Sequence, residues 1–179
     1  GVNAISQNNN IENFFYLNID DEKSKIFFFE NSSLKFEEEF KFGMNIVLRD
    51  ISKITSLKTE TVKLILKNFE LKNDFAADET VEEEFFKNEV YKKIKKKLIY
   101  DIIFARVEEM SELILFKNYN TSYFNKISEA IFLEFSNKNN HLNLKEFFRI
   151  IFSKNDKIAL EFLETPSNSD MLKAVSKIV

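Results

Sequence analysis

Residues 82–117, EEEFFKNEVYKKIKKKLIYDIIFARVEEMSELILFK, contain no glycine or proline and are predicted to form one long helix. The first half has a single apolar stripe among five lysines, so we expect it to contact the core on one side only. The second half is apolar over a wider arc, which predicts burial between other elements. Acidic residues 82–84 favour a helix start there, because a helix N-terminus carries partial positive charge. The two apolar sets are Val90, Ile94, Leu98 and Ile102, then Ile99, Ile103, Val107, Met110 and Ile114.

The composition of the 179 residues limits the possible classes of protein. A hydrophobic fraction of 44% excludes a disordered chain, and the net charge of -3 gives no general attraction to nucleic acid or anionic lipid. Cysteine is absent and His141 is the one histidine, which excludes thiolate metal sites and histidine clusters. The apolar runs are too short to span a membrane.

The order of the shorter segments predicts an α/β layered fold. Strand-like runs at 14–19, 25–30 and 34–42 are joined by turn-forming residues, which indicates an antiparallel meander. Helices are expected at 44–54, 59–68, 144–152 and 170–179, and a buried strand at 130–135. The run at 157–164 fits either a strand or a helix. Gly43, between the third strand and the next helix, provides either a positive φ or a close backbone approach.

Two local sequences then carry a family resemblance. Residues 33–51, SLKFEEEFKFGMNIVLRDI, and residues 103–114, IFARVEEMSELI, resemble segments of the second lobe of the bacterial actin-like cell-division protein FtsA. The resemblance implies an actin-like (ribonuclease H-like) second lobe, with a mixed sheet that starts with the three-stranded meander and is flanked by helices. It further implies a core subdomain, residues 1–54 plus 120–179, and an inserted subdomain, residues 55–119. The chain then corresponds to one lobe of a longer protein.

The resemblance also identifies two loops that bind nucleotide in actin-like proteins. One has the form Asp-x-Gly-x-x-x-Thr, but this chain has Asn18, Asp20 and Ser24 at the specified positions. The other is a Leu-Thr-Gly-Gly turn, which here reads Leu133, Glu134, Phe135 and Ser136. Because both loops lack their glycines, we expect a degenerate nucleotide site and no cofactor. ATP with Mg²⁺ is the cofactor only if the chain is an ATP-binding, polymerising actin-like protein.

The predicted partner is another protein. In the FtsA family the inserted subdomain binds the acidic C-terminal tail of the tubulin-like protein FtsZ, and the resemblance assigns this role to Arg106, with Lys97 expected on roughly the same side of the helix. An ion pair between Arg106 and Glu109 is the structural alternative. The lysines at 92–97 fit a solvated helix face better than a nucleic-acid surface, because few aromatic side chains lie among them. We therefore expect no nucleic-acid partner.

These patterns together predict an adaptor of cell division that is not an enzyme. The sequence contains no phosphate-binding loop and no nucleophile or metallohydrolase motif. The expected partners are the FtsZ tail and other FtsA-like copies, and membrane contact is expected only through a tail beyond this chain. The expected location is the cytoplasm, at the inner face of the cell membrane. The alternatives are an ATP-binding polymerising protein and an actin-like adaptor of pilus or secretion assembly.

Overall fold

A computed structural model describes residues 11–31, 33–68, 75–76, 78–136, 144–154 and 159–163. Its centre is a five-stranded mixed sheet with the strand order β3-β2-β1-β4-β5. The strands are β1 (Asn13–Ile19), β2 (Ser24–Glu30), β3 (Ser33–Phe40), β4 (Ala130–Phe135) and β5 (Ala159–Leu163). The predicted run at 157–164 is therefore a strand.

The first three strands form the expected antiparallel meander, while β1 pairs with β4 and β4 with β5 in parallel. Alternation along β3 leaves Glu37 and Glu39 exposed, whereas Phe36 and Phe40 pack against the core. Aromatic pairs such as Phe15 with Phe28, whose ring centroids are 5.0 Å apart, fill the space between the meander and the helices. Each such buried side chain contributes roughly 1.5–3 kcal/mol of hydrophobic free energy.

Four α-helices lie in the described part of the chain: α1 (Asn45–Thr55), α2 (Thr59–Asn68), α3 (Lys96–Ser111) and α4 (Leu144–Ser153). One π-helical turn, Glu112–Phe116, continues α3. The second apolar stripe of the sequence is buried, as predicted, with Ile99, Ile103 and Val107 all at most 1% exposed. None of the helices within these ranges is both long and apolar enough to cross a membrane.

The prediction of one helix over residues 82–117 is wrong in its first half. Residues 82–95 contain a short 3-10 turn, Glu83–Phe85, and then neither helix nor strand up to an isolated antiparallel bridge between Lys95 and Thr80. Instead, the amide of Val81 donates to the carbonyl of Ile94 at 2.8 Å, and Phe86 is buried. Val90, which belonged to the predicted stripe, is 83% exposed. Burial of apolar side chains from a folded-back segment outweighs the local helical pattern.

The opposite face of the sheet carries a smaller apolar cluster around Phe14, Ala130 and Phe132. Phe14 meets Phe132 edge to face, with ring centroids 5.2 Å apart. The helix predicted at 170–179 lies outside the described residues. The boundaries of the predicted core and inserted subdomains stay a prediction.

Candidate functional site

The ends of β1 and β4 lie side by side in the sheet. Their parallel pairing places Asn18 opposite Glu134 and Ile19 opposite Phe135. The segments that follow these two strand ends are those that resemble the nucleotide loops of an actin-like lobe. The structure therefore brings together the two loops that were identified separately in the sequence.

The turn between β1 and β2 uses its backbone groups within the chain. The amide of Asp20 donates to the carbonyl of Lys23 at 2.9 Å, and the amide of Asp21 donates to the Asp20 carboxylate at 2.6 Å. The carbonyls of Asp20 and Asp21 accept hydrogen bonds from the amides of Met44 and Asn45, each at 2.9 Å. A phosphate cradle needs successive amides that point toward the anion. In this turn the amides of Asp20 and Asp21 already donate to oxygens of the turn itself.

Side chains fix the same turn against its neighbours. Ser24, at the last position of the turn motif, is fully buried, and its hydroxyl donates to the carbonyl of Phe42 at 2.9 Å. The carboxylate of Glu22 accepts from the side-chain amide of Asn45 at 2.6 Å. These bonds tie the turn to the segment that leads from β3 into α1.

Gly43 makes this attachment possible. Its φ is not positive, so the close approach, and not the left-handed conformation, is the observed reason for glycine. A β-carbon at this position would lie 2.1 Å from the carbonyl oxygen of Asp20 and 2.7 Å from that of Asp21. Any larger residue would separate the turn from the start of α1.

A chain of four polar side chains joins the ends of β1 and β4. The hydroxyl of Tyr16 donates to the Glu134 carboxylate, and the amide of Asn18 donates to the Tyr16 oxygen at 3.3 Å. Ser136 completes the chain, because its hydroxyl donates to the Asn18 side-chain oxygen at 2.8 Å. The backbone adds a bond of 3.0 Å from the Ser136 amide to the Ile19 carbonyl. We call these four side chains the strand-end network.

The side chains of the strand-end network are suited to hydrogen bonding within the chain. Burial, reinforced by the hydrogen bond to Glu134, raises the pKa of Tyr16 to about 12, so the phenol stays neutral at physiological pH. A neutral phenol is a hydrogen-bond donor and a poor base. Within the described ranges, no group of three or more acidic or histidine side chains is placed to hold a metal ion. The arrangement holds two strand ends together.

Phe135 packs into the core on the helical side of the sheet. Its side chain is 6% exposed, and its ring lies 5.6 Å from that of Phe148 and 6.5 Å from that of Phe162. At the position where the resemblance places a glycine, this chain therefore has a core side chain.

The side chain of Arg106 lies in a groove of about 330 Å³ between α1 and α3. Its Nε donates to the carboxylate of Asp50 and its Nη1 to that of Glu109, each at 2.5 Å. The Glu109 pair is the structural alternative weighed for this arginine. The Asp50 pair joins α3 to α1 and could not be read from local spacing. The groove is lined by Asp50, Ile54, Asp101, Ile102, Ala105, Arg106 and Glu109.

Lys97 does not line this groove. It pairs with Asp101 one turn along the helix, and its ammonium lies 5.2 Å from the centroid of the Tyr100 ring. Nine residues separate Lys97 from Arg106, which is about two and a half helical turns and puts them on opposite sides of α3. The structure thus brings Arg106 and Glu109 together, and the expectation that Lys97 lies on the same side of the helix as Arg106 is wrong.

A second, smaller cavity of about 240 Å³ lies where α2 meets the start of α3. Lys96 reaches it and pairs with Glu79 at 3.1 Å and with Glu82 at 2.5 Å, while only 17% of its side chain is exposed. Burial lowers the pKa of Lys96, but the two carboxylates outweigh burial and the net shift is upward. This lysine fastens the folded-back segment to α3.

Sequence reasoning missed two of the residues that matter here. Tyr16 was read only as part of a strand, since nothing local shows which partner its hydroxyl meets. Ile54 was read only as part of a helix, yet it is 57% exposed at the groove. The amphipathic pattern of α1 gave no signal for this exposure, because Ile54 lies seven residues after Val47 and three after Ile51 and so shares their side of the helix.

No protein-family model matches the sequence, and no curated protein matches it. Solved structures match the fold. The PilM-PilN type IV pilus biogenesis complex matches with a TM-score of 0.57 and 11% identity over 97% of this chain and 45% of that one. MreB5 of Spiroplasma citri bound to ADP matches with a TM-score of 0.57 and 11% identity over 94% and 54%. The archaeal actin homolog Ta0583 matches with a TM-score of 0.51 and 10% identity over 94% and 49%.

These similarities define the class of protein: the chain has an actin-like fold, with an open mixed sheet of five strands flanked by helices. The chain spans about half the length of the solved structures that it matches. At about a tenth identity the likeness lies in the fold, so the more specific resemblance to FtsA stays a prediction.

Proposed function

We propose that this chain is the second lobe of an FtsA-like cell-division adaptor that works by binding proteins and not by hydrolysing a nucleotide. The observation that carries the proposal is the strand-end network, in which Ser136 bonds directly to Asn18. In an actin-like lobe these two loops approach the same ligand. Here they are bonded to each other, and the turn amides of Asp20 and Asp21 are engaged within the turn.

Electrostatics support the same conclusion. Asp20, Asp21 and Glu22 follow one another in the turn, and the neighbouring cation, Lys23, pairs with Glu39 at 3.4 Å. Carboxylates repel a polyphosphate at close range unless cations lie between them. The proposal therefore includes no resident cofactor.

The proposed partner is the C-terminal tail of FtsZ, bound at the groove between α1 and α3. Exposed Ile54 offers an apolar contact, and the guanidinium of Arg106 offers hydrogen bonds that suit a carboxylate. Because Arg106 already pairs with Asp50 and Glu109, a tail carboxylate must replace one of these partners. We expect the affinity to be modest, because the groove lining carries three carboxylates beside the one guanidinium that a tail carboxylate would bind.

The proposal also assigns self-association with other FtsA-like copies and a cytoplasmic location at the inner face of the cell membrane. Attachment to the membrane would come from a tail outside this chain. The proposal includes no binding of nucleic acid.

Calorimetry of this chain with a peptide of the FtsZ C-terminal tail tests the proposal. We expect binding that Arg106→Glu weakens. Arg149→Glu is the matched control, because Arg149 forms the same kind of i to i+3 pair, with Glu146 at 3.0 Å, on a different helix. Equal affinity of both variants, or no heat at submillimolar peptide, would contradict the assignment of the groove.

An ATP-binding, polymerising protein is the second candidate, favoured by the likeness to MreB5, which was solved bound to ADP. Titration of the isotopically labelled chain with magnesium ATP separates the two. Amide shifts concentrated at Asp20–Lys23 and Ser136 would support the polymerising protein, and an unchanged spectrum would support the adaptor.

An adaptor of pilus or secretion assembly is a third candidate, favoured by the PilM-PilN likeness and tested by the partners recovered in a pull-down.

A further inference from the structure

A basic segment lies at one end of the groove between α1 and α3. We call residues 90–95, VYKKIK, the lysine segment. Exposure alternates along it: Tyr91, Lys93 and Lys95 are exposed, whereas Lys92 and Ile94 are partly buried. In the described part of the chain, neither Lys93 nor Lys95 has a carboxylate within ion-pair distance, although the lysines on either side of them are engaged.

The lysine segment is anchored, so its exposed side chains are presented in a defined place. The ammonium of Lys92 donates to the carbonyl of Ser56 at 2.5 Å, which attaches the segment to the chain just after α1. At its other end, the carbonyl of Lys95 accepts from the amide of Leu98 at 3.1 Å, so the segment leads directly into α3. Anchored at both helices, the segment borders the groove.

Apolar side chains are exposed on this face in both parts. Val90 of the lysine segment is 83% exposed, while Ile54 in the groove is 57% and Leu98, one turn before the groove residue Ile102, is 40% exposed. Single exposed apolar residues are ordinary on a protein surface. Here the three lie on segments that meet at this end of the groove: the lysine segment, the last turn of α1 and the first turn of α3.

The two parts of this face carry opposite charge. Asp50, Asp101 and Glu109 supply three carboxylates to the groove, against Arg106 within it and Lys97, which pairs with Asp101 from outside it. The groove is therefore net negative. The lysine segment is positive, because its outward lysines lack carboxylate partners in the described structure.

We propose that a second copy of this chain binds this face, with the lysine segment of each copy lying on the groove of the other. A two-fold axis allows this arrangement, because the same face of both subunits then forms the interface. The lysine segment of each subunit lies opposite the groove of the other. Val90 of one copy would contact Ile54 and Leu98 of the other, and Lys93 and Lys95 would face Asp101 and Glu109. The proposal rests on the self-association part of the proposed function and names its surface. Because that surface includes the groove, a second copy and the FtsZ tail would compete for it.

The small area of this face sets the expected affinity of the dimer. The face offers three exposed apolar side chains per copy and relies on charge, so we expect a weak dimer whose dissociation constant rises with salt. Charge reversal on one side should raise that constant by about tenfold, because it sets like charges opposite one another.

Sedimentation equilibrium of the full chain at low salt tests the proposal with paired charge reversals. Lys93→Glu with Lys95→Glu reverses the lysine segment, and Asp101→Lys with Glu109→Lys reverses the groove. Each variant alone should dimerise about tenfold more weakly than the native chain. An equimolar mixture of the two variants should dimerise as the native chain does, because every contact then joins opposite charges.

Controls make the outcomes distinct. Lys41→Glu with Lys126→Glu changes the net charge by the same amount at exposed sites elsewhere and should leave the native dissociation constant unchanged. Circular dichroism checks that each variant is folded. Dimers that survive both reversals, or a mixture that fails to recover, would overturn this surface while leaving self-association in place. A native chain that stays monomeric at all concentrations would overturn both.

Discussion

The hydroxyl of Ser136 donates to the side-chain oxygen of Asn18 at 2.8 Å, and this bond joins two parallel strands where both end. We expect Ser136→Ala to lower the free energy of unfolding by about 0.5–1.5 kcal/mol, the usual net contribution of one hydrogen bond. Urea denaturation measures the change. Ser122→Ala, at an exposed hydroxyl, is the control and should change stability little. Equal effects of the two substitutions would mean that the bond does not stabilise the strand ends.

Gly43→Ala should lower the free energy of unfolding more than Ser136→Ala does. The new β-carbon would lie 2.1 Å from the Asp20 carbonyl oxygen, so the turn must move and lose its hydrogen bonds to the start of α1. We expect a loss of about 3 kcal/mol, the combined cost of overpacking and of unmade backbone hydrogen bonds. Thermal denaturation compared with Lys41→Ala, two residues earlier and exposed, measures it. A loss no larger than that of the control would contradict the close approach.

The raised pKa of Tyr16 predicts that the free energy of unfolding of this protein falls at high pH. Its pKa is raised from 10.0 to about 12 in the folded chain, so the folded protein keeps the phenolic proton after the unfolded chain has released it. The contribution of Tyr16 is complete below about pH 10 and is lost as the pH rises toward about 12.

Tyr16→Phe isolates this effect from the titration of other groups. The variant should be less stable than the native chain near pH 9, and the difference between them should shrink by about pH 11. Urea denaturation at both pH values gives the two differences. A difference that is constant with pH would show that the Tyr16 proton is not held more tightly in the folded state.

Asp50 and Arg106 should be energetically coupled. Their side chains are only 22% and 26% exposed, and their contact joins α1 to α3. A double-mutant cycle with Asp50→Ala and Arg106→Ala should give a coupling free energy of about 1 kcal/mol, the upper end of the range for exposed pairs. The same cycle on Arg149 and Glu146, whose side chains are at least half exposed, should give less. Equal coupling energies would show that partial burial adds nothing.

The meander, α1, α2, α4 and the second half of the long helix could be predicted from the sequence by their apolar patterns, and the strand at 130–135 by its short apolar run between polar residues. The first half of the long-helix prediction failed for a specific reason. Residues 90–96 fit a four-residue stripe, but they also fit the two-residue alternation that the structure shows, in which Lys93 and Lys95 are exposed and Lys92 and Ile94 are partly buried. Local spacing could not choose between these periods, and the burial of Val81 and Phe86 against other elements did.

For the candidate site, the sequence by itself determined which residues are present. Asp20 and Phe135 stand where the resemblance has glycine in each of the two loops, and Arg106 is followed by Glu109 one helical turn later. Only the tertiary structure decided what these residues meet. In that structure Ser136 forms a hydrogen bond with Asn18, and Phe135 packs against Phe148 in the core. Arg106 forms an ion pair with Asp50 of another helix. The physical reason is that periodicity fixes which side of its own element a residue takes, whereas contacts between distant segments depend on how the whole sheet and its helices pack.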